Sequence, residues 1–378
     1  MLFLDAIALL SFVWILYYYL STRLRSRLPL PPGPKKLPVV GNLLDMPKRL
    51  EWETYHAWCV EFESDIIHVD VAGTDVIVLD KYETAVDLLE KRSSIYSGRP
   101  RMPMVVELMG WEFNFAFMDY VIAIGNRWRL RRLMHHSFHP AAAAEFHPAA
   151  RGLVRRVLDN PDDLLGELRH LSREVVPSTT YGLEIASKTD RYITLAKEGV
   201  DPVLPALVPG TYLVDVLPIL KNVPEWLPGA GFKRKAKEWC RLALAMRDIP
   251  YTAAKQEIEN GSARHSFCFS SLQSLKEGIE YEKHENDIRD AAGTLYGAGA
   301  DSTMAAVANC ILALLNHPDV LKKAHVEIDR VLKPRALPDL EDQELLPYIT
   351  AVVKEGLRWK ETVPLGKLIP LSEESISA

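Results

Sequence analysis

The feature that most constrains this chain is an apolar segment from about Asp287 to Leu315 that meets no proline before Pro318. Its length and composition predict one long helix, extending back to Tyr281. Yet the middle of that helix holds Gly297, then Ala298-Gly299-Ala300-Asp301-Ser302-Thr303. Glycine costs a helix interior about 1 kcal/mol against alanine, and Asp, Ser and Thr are also poor formers. A helix needed only for a core has no use for such residues there. Glycine lets something flat approach the backbone, and a carboxylate beside two hydroxyls can handle protons. Ala298 and Ser302 are i,i+4 neighbours, as are Gly299 and Thr303, and they share a face. The competing reading is a small-residue crossing where a second helix packs closely.

The chain has 378 residues, 48% of them hydrophobic, which is ample for a large core. Its formal charge of −5 is unevenly spread, because residues 1–36 carry Arg23, Arg25, Arg27, Lys35 and Lys36 against Asp5 alone. The rest is acidic, which argues against nucleic acid as the main partner. Residues 1–20 are almost wholly apolar, include Trp14 and Tyr17–Tyr19, and are long enough to cross a bilayer as a helix. The arginines that follow predict that everything downstream faces the cytoplasm. A cleaved secretory peptide is disfavoured, since the basic residues follow the apolar run and no A-x-A site succeeds it. Residues 21–42 are basic and proline-rich, with Leu28-Pro29-Leu30-Pro31-Pro32-Gly33-Pro34, and read as a stiff connector. Cys59, Cys240, Cys268 and Cys310 form no CxxC pair and read as reduced, mostly buried thiols.

Within 43–378, two β-branched runs flank Ala72-Gly73-Thr74-Asp75, a hairpin signal. Little else resembles strand. Helices are expected over 82–92, 125–138, 153–172, 232–259, 281–315, 317–332 and 346–359. Residues 260–272 read as a loop. Six prolines between Pro202 and Pro228 predict short helices and loops lying near a membrane. The fold class is mostly α with a small β-sheet.

Three further patterns carry candidate chemistry. Glu355 and Arg358 are i,i+3 on a helix opened by Pro347, a pairing common by chance. Trp128 and Arg132 stand one turn apart, so an indole N–H and a guanidinium can meet a carboxylate; a basic surface helix is the plainer alternative. His135 and His139 have i,i+4 spacing, but Pro140 ends that helix and no metal is expected.

Taken in this order, these features resemble a membrane-anchored, fungal-type microsomal cytochrome P-450. The resemblance covers nearly the whole chain: the anchor and L-P-L-P-P-G-P-K-K-L-P-V-V-G-N hinge, Trp128/Arg132 as W-x-x-x-R, 298–303 as A-G-x-D/E-T-T, and Glu355/Arg358 as E-x-x-R. It implies a P-450 fold after one transmembrane helix, and haem b as cofactor. Trp128 and Arg132 would hold a haem propionate, and Ala298 and Gly299 would adjoin the ring. Asp301 would relay protons, and Ser302, with Thr303, would orient water. Glu355 and Arg358 would form a buried structural pair. It further implies hydroxylation of a lipophilic small molecule, electrons from an NADPH-cytochrome P-450 reductase, and a single pass through the endoplasmic reticulum membrane. The residues rich in Met and Phe between Met102 and Met118 resemble the segment that lines the family's substrate pocket; core packing explains them equally well.

There are two departures. Ser302 replaces the usual threonine, keeping the hydroxyl and losing the methyl. More severely, the F-x-x-G-x-R-x-C-x-G loop that supplies the iron's cysteine thiolate is missing after Arg358. None of the four cysteines sits in such a loop, so no axial ligand is expected here. The sequence reads as a P-450 incomplete at its carboxy terminus, by the family's chemistry a haem monooxygenase. The alternatives are a non-catalytic membrane-tethered remnant or interaction protein and, far behind, a helical binding protein with no haem history. A core ended this way leaves apolar surface exposed, so urea denaturation is expected to begin early and proceed gradually, without a sharp transition at high urea.

Overall fold

The computed structural model describes residues 29–38, 40–47, 49–93, 95–96, 98–118, 130, 133, 141–185, 190–208, 210–275, 278, 280–332 and 337–366. The expected anchor and most of the helix at 125–138 lie outside them. Two units follow one another along the chain, dividing between Tyr96 and residue 97.

In the first, helix α1 (Glu51–Glu61) precedes strands β1 (Ile66–Val71) and β2 (Thr74–Leu79). The strands pair antiparallel in a register running from Ile66 opposite Leu79 to Val71 opposite Thr74. Ala72 and Gly73 make the two-residue turn with φ of 49° and 92°. Both central residues of such a turn must be left-handed, which glycine supplies freely and alanine with some strain. Cys59, Ile67, Val69 and Val71 form the core of this unit.

The proline-rich run behaves differently from a free connector. The Pro32 carbonyl accepts from the His68 amide at 2.9 Å. Asn42 accepts the Asp70 amide through its side-chain oxygen at 3.1 Å, and Lys36 pairs with the Asp70 carboxylate at 3.0 Å. Proline leaves its own carbonyl free to accept, so this stretch lies along β1 as a docked edge.

The second unit is helical: α2 (Ala141–Asp159), α3 (Leu164–Tyr181), α4 (Arg191–Val200), α5 (Gly231–Glu259), α6 (Phe267–Gln273), α7 (Tyr281–Asn316), α8 (Pro318–Val331) and α9 (Pro347–Trp359). Two expectations are corrected here. The stretch expected as one helix over 153–172 is broken by a 3₁₀ turn at Pro161–Asp163, because Pro161 cannot continue the preceding hydrogen-bond ladder. Residues 267–273, expected in a loop, form a helix. The Ser266 hydroxyl caps it by accepting from the Phe269 amide at 3.2 Å, and Phe267 and Cys268 are buried. The proline-rich middle forms short pieces, as expected: Val203–Ala206, Leu213–Val216 and Pro218–Asn222.

α7 is the 36-residue axis of this unit, packed chiefly on α3 and also on α4, α5, α6 and α9. It is long and apolar enough to cross a membrane, but its first half is core. Ile288, Ala291, Ala292 and Tyr296 form a stripe at helical spacing that is at most 1% exposed. The Tyr296 hydroxyl donates to the Tyr192 carbonyl of α4, and its ring meets Tyr181 of α3 edge-on at 5.5 Å.

Gly299 belongs to this packing. A Cβ there would lie 2.8 Å from Val176 Cγ2 on α3, and valine is stiff at χ1. Gly299→Ala gains about 1 kcal/mol of helix propensity but overpacks the crossing, at about 1–3 kcal/mol. It is therefore expected to lower stability by about 1 kcal/mol in the native sequence. In a Val176→Ala background the same change is expected to raise it, as urea midpoints of the four proteins would report.

Candidate functional site

Past Tyr296, the character of α7 changes. Gly297 receives the Trp111 indole, whose ring carbons would lie 3.3 Å from an added Cβ, and Gly299 receives Val176. On the other side of the same turns, Ala298, Asp301 and Ser302 are exposed, and Thr303 is half-buried. The Ser302 hydroxyl donates to the Ala298 carbonyl at 2.9 Å. This back-bond is the usual resting place of a helical serine hydroxyl, and it leaves the oxygen's acceptor capacity available. The two sequence readings of 298–303 thus fall on different faces. The glycine takes the packing role, while the alanine, the carboxylate and the serine stay clear of neighbouring helices.

Residues 102–118 form a π-helix (Pro103–Leu108), a 3₁₀ turn (Trp111–Phe113) and connecting chain. Met104, Val105, Met109, Trp111 and Phe113 are at most 3% exposed. Trp111 stacks on Phe113 at 5.3 Å and meets Phe117 edge-on at 6.2 Å. The Trp111 Nε1–H is buried with no acceptor among the described residues. An unpaired buried donor in an apolar lining is costly unless something supplies an acceptor.

Beside this lining sits a charged cluster that the sequence did not single out. Arg247 of α5 donates to Asp248 at 2.7 and 3.2 Å and to Asp290 of α7 at 3.2 Å, and its guanidinium lies 5.3 Å from the Phe113 ring centre. Burial pushes the Asp290 carboxyl up to about 6, with Arg247 working against it. No spacing rule brings residues 247 and 290 together, so no local signal marks the cluster.

Glu355 and Arg358 pair as predicted, at 2.8 and 2.6 Å. Their side chains are 58% and 72% exposed, where the resemblance implies burial. Their helix is fixed by a residue the sequence reading missed. Glu327 of α8, only 7% exposed, accepts from the Tyr348 and Ile349 amides of α9 at 3.1 and 2.9 Å. A helix's first amides have no partner within the helix, and a carboxylate suits that end. A signal was present: Glu327 occupies an apolar-phase position in the series Val320, Ala324, Glu327, Val331. Trp128 and Arg132 lie outside the described residues, as do His135, His136 and His139.

The family model for cytochrome P-450 matches residues 31–368. Cytochrome P-450 monooxygenase 98 of Postia placenta is 41% identical over 362 residues, covering 94% of this chain and 69% of that protein. Cytochrome P-450 monooxygenase ple1 of Rhodocybe pseudopiperita is 38% identical over 356 residues, covering 93% and 67%. Tryptamine 4-monooxygenase of Psilocybe cyanescens is 37% identical over 357 residues, covering 92% and 69%. The chain belongs to the cytochrome P-450 family of oxygen-incorporating, haem-dependent monooxygenases, and the cofactor of that family is haem b.

The residues present fit one side of such a group. Across Ala298 and Ser302, α7 offers a shallow wall of a methyl and a hydroxyl, on which a flat apolar ring can rest. The other side is not supplied by the cysteines. All four are free, and burial raises the pKa of each thiol, whereas a metal-binding cysteine needs the thiolate.

Two outcomes are expected from these contacts. Asp290 holds its proton more tightly folded than unfolded, so its contribution to stability falls as pH rises from about 4 to about 6. Asp290→Asn should remove that slope and raise stability at neutral pH, read as the difference in urea midpoint between the two proteins across that range. Glu327→Ala should cost about 1–3 kcal/mol by stranding two amides, and Glu327→Gln less, since it still accepts.

Proposed function

We propose that this chain's oxygen chemistry is served by the exposed face of α7, with Asp301 moving protons and Ser302, helped by Thr303, orienting water. One observation carries this reading. Within a single turn, Gly299 meets the neighbouring helix while Ala298, Asp301 and Ser302 are left unobstructed. Haem b, when bound, supplies the oxidising chemistry, and the protein positions substrate and protons. Trp128 and Arg132 hold a haem propionate in this reading, and Ala298 and Gly299 form the backbone wall beside the ring. Glu355 and Arg358 brace α9 structurally.

The substrate is a lipophilic small molecule. The apolar lining of 102–118 supports this, and the unpaired Trp111 N–H gives it one polar point of attachment. Hydroxylation draws electrons from an NADPH-dependent cytochrome P-450 reductase. The apolar residues 1–20 and the arginines behind them support a single-pass anchor in the endoplasmic reticulum membrane with the body in the cytoplasm. The domain plan is an anchor over 1–20, a hinge over 21–42 and a catalytic domain over 43–378.

A second reading, a non-catalytic membrane-tethered family member, is favoured by the four thiols, none of which suits an axial thiolate. Reduction under carbon monoxide separates the two readings. A shifted Soret band from this polypeptide supports the monooxygenase, and its absence supports the second reading. In the first case, Asp301→Asn is expected to keep the band and slow product formation by roughly 10²-fold in a reductase-reconstituted assay. Loss of the band in that variant would give Asp301 a structural role instead.

A further inference from the structure

The proline-rich middle of the chain holds a feature that the reading above does not use. Residues 211–228 lie between two left-handed glycines, Gly210 at φ 83° and Gly229 at φ 92°. Positions of this kind absorb large backbone rotations at little cost. Backbone hydrogen bonds within the stretch are local: Asp215 to Tyr212, Leu217 to Leu213, Leu220 to Leu217 and Val223 to Leu220. Its outer surface is apolar and uncovered, with Leu213 62%, Leu217 49% and Ile219 75% exposed. Only Val214 among its apolar side chains is fully buried, at 1%.

Two polar ties reach from this stretch to the turn at 103–108. The Asp215 carboxylate accepts from the Met104 amide at 2.9 Å, across 111 residues of sequence. Met104 lies at the start of its helix, where an amide has no partner within the helix, so the tie comes from Asp215 alone. Farther out, Lys221 donates to Glu107 Oε2 at 2.6 Å, and Arg101 holds the same carboxylate at 2.6 and 3.1 Å. Hydrogen bonds from Arg101 and then Lys221 keep the Glu107 carboxyl at about 2, so it is ionised at any physiological pH. The inner tie is sheltered and the outer one is open to salt.

We propose that residues 211–228 are a glycine-hinged flap, held over the 103–108 turn by an inner Asp215–Met104 tie and an outer Lys221–Glu107 tie, and that Asp215 is the positioning residue setting how readily the apolar space lined by 102–118 opens to a ligand. The flap itself rests on the two ties and the hinges. Its link to ligand entry rests on the reading of 102–118 as a substrate lining.

Two measurements on the purified full chain test this. The first is amide-resolved hydrogen exchange. Asp215→Ala is expected to speed exchange at Met104 about tenfold. Asp215→Asn still accepts through its amide oxygen and should stay within about threefold of the native rate. Lys221→Gln, or molar salt, should speed exchange over 217–223 and leave Met104 protected. The second is stopped-flow binding of Nile red, an uncharged apolar dye. Opening the flap should raise the association and dissociation rates together, severalfold, with the equilibrium affinity changed by less than about twofold.

Unchanged protection at Met104 in Asp215→Ala would overturn the inner tie. Parallel loss of protection at 288–296 in α7 would mean that Asp215 merely supports global stability, and would also overturn it. Faster exchange with unaltered dye kinetics would overturn the gating role. If the native chain binds no dye, the substrate-lining reading fails, and exchange still decides whether the flap exists.

Discussion

The second unit depends on how closely other elements approach α7. Its small residues admit Val176 at Gly299, the Trp111 ring at Gly297 and the Arg247 stem at Gly293. Each approach brings a different part of the chain to the same axis: α3, the 102–118 lining and α5. Poor helix formers are tolerated there because packing, more than propensity, stabilises a helix of this length. The same helix then carries a second face that no neighbour covers at Ala298, Asp301 and Ser302. Packing and chemistry are separated by rotation about one axis and need no separate segments.

What was legible in the sequence was local. The hairpin at Ala72-Gly73, the extents of α5, α7, α8 and α9, and the Glu355–Arg358 pair all follow from short-range patterns, and the structure bears them out. The helix at 267–273 was hidden by its serines, although Ser266 is a good cap and should have weighed more. The break at Pro161 was likewise readable and was smoothed over by the apolar periodicity on either side.

What was not legible is tertiary. The docking of the proline-rich run on β1 requires knowing that Pro32 meets His68. The Arg247–Asp290 contact joins positions 43 residues apart, and the Asp215–Met104 tie spans 111. Residue type alone says these groups want partners and does not say which. The candidate site shows the same division. The 298–303 pattern was visible as a motif, but only coordinates assign its glycine to packing and its carboxylate to the open side.

The Glu327 contact with α9 has a geometric consequence. Seven residues are nearly two full turns of an α-helix, so Tyr348 and Glu355 share almost the same azimuth about the α9 axis. Clamping the amide of the first therefore sets the phase of the second. Glu327 works like a key in a shaft: it stops α9 from spinning in its seat, and so determines the compass bearing of a carboxylate it never touches.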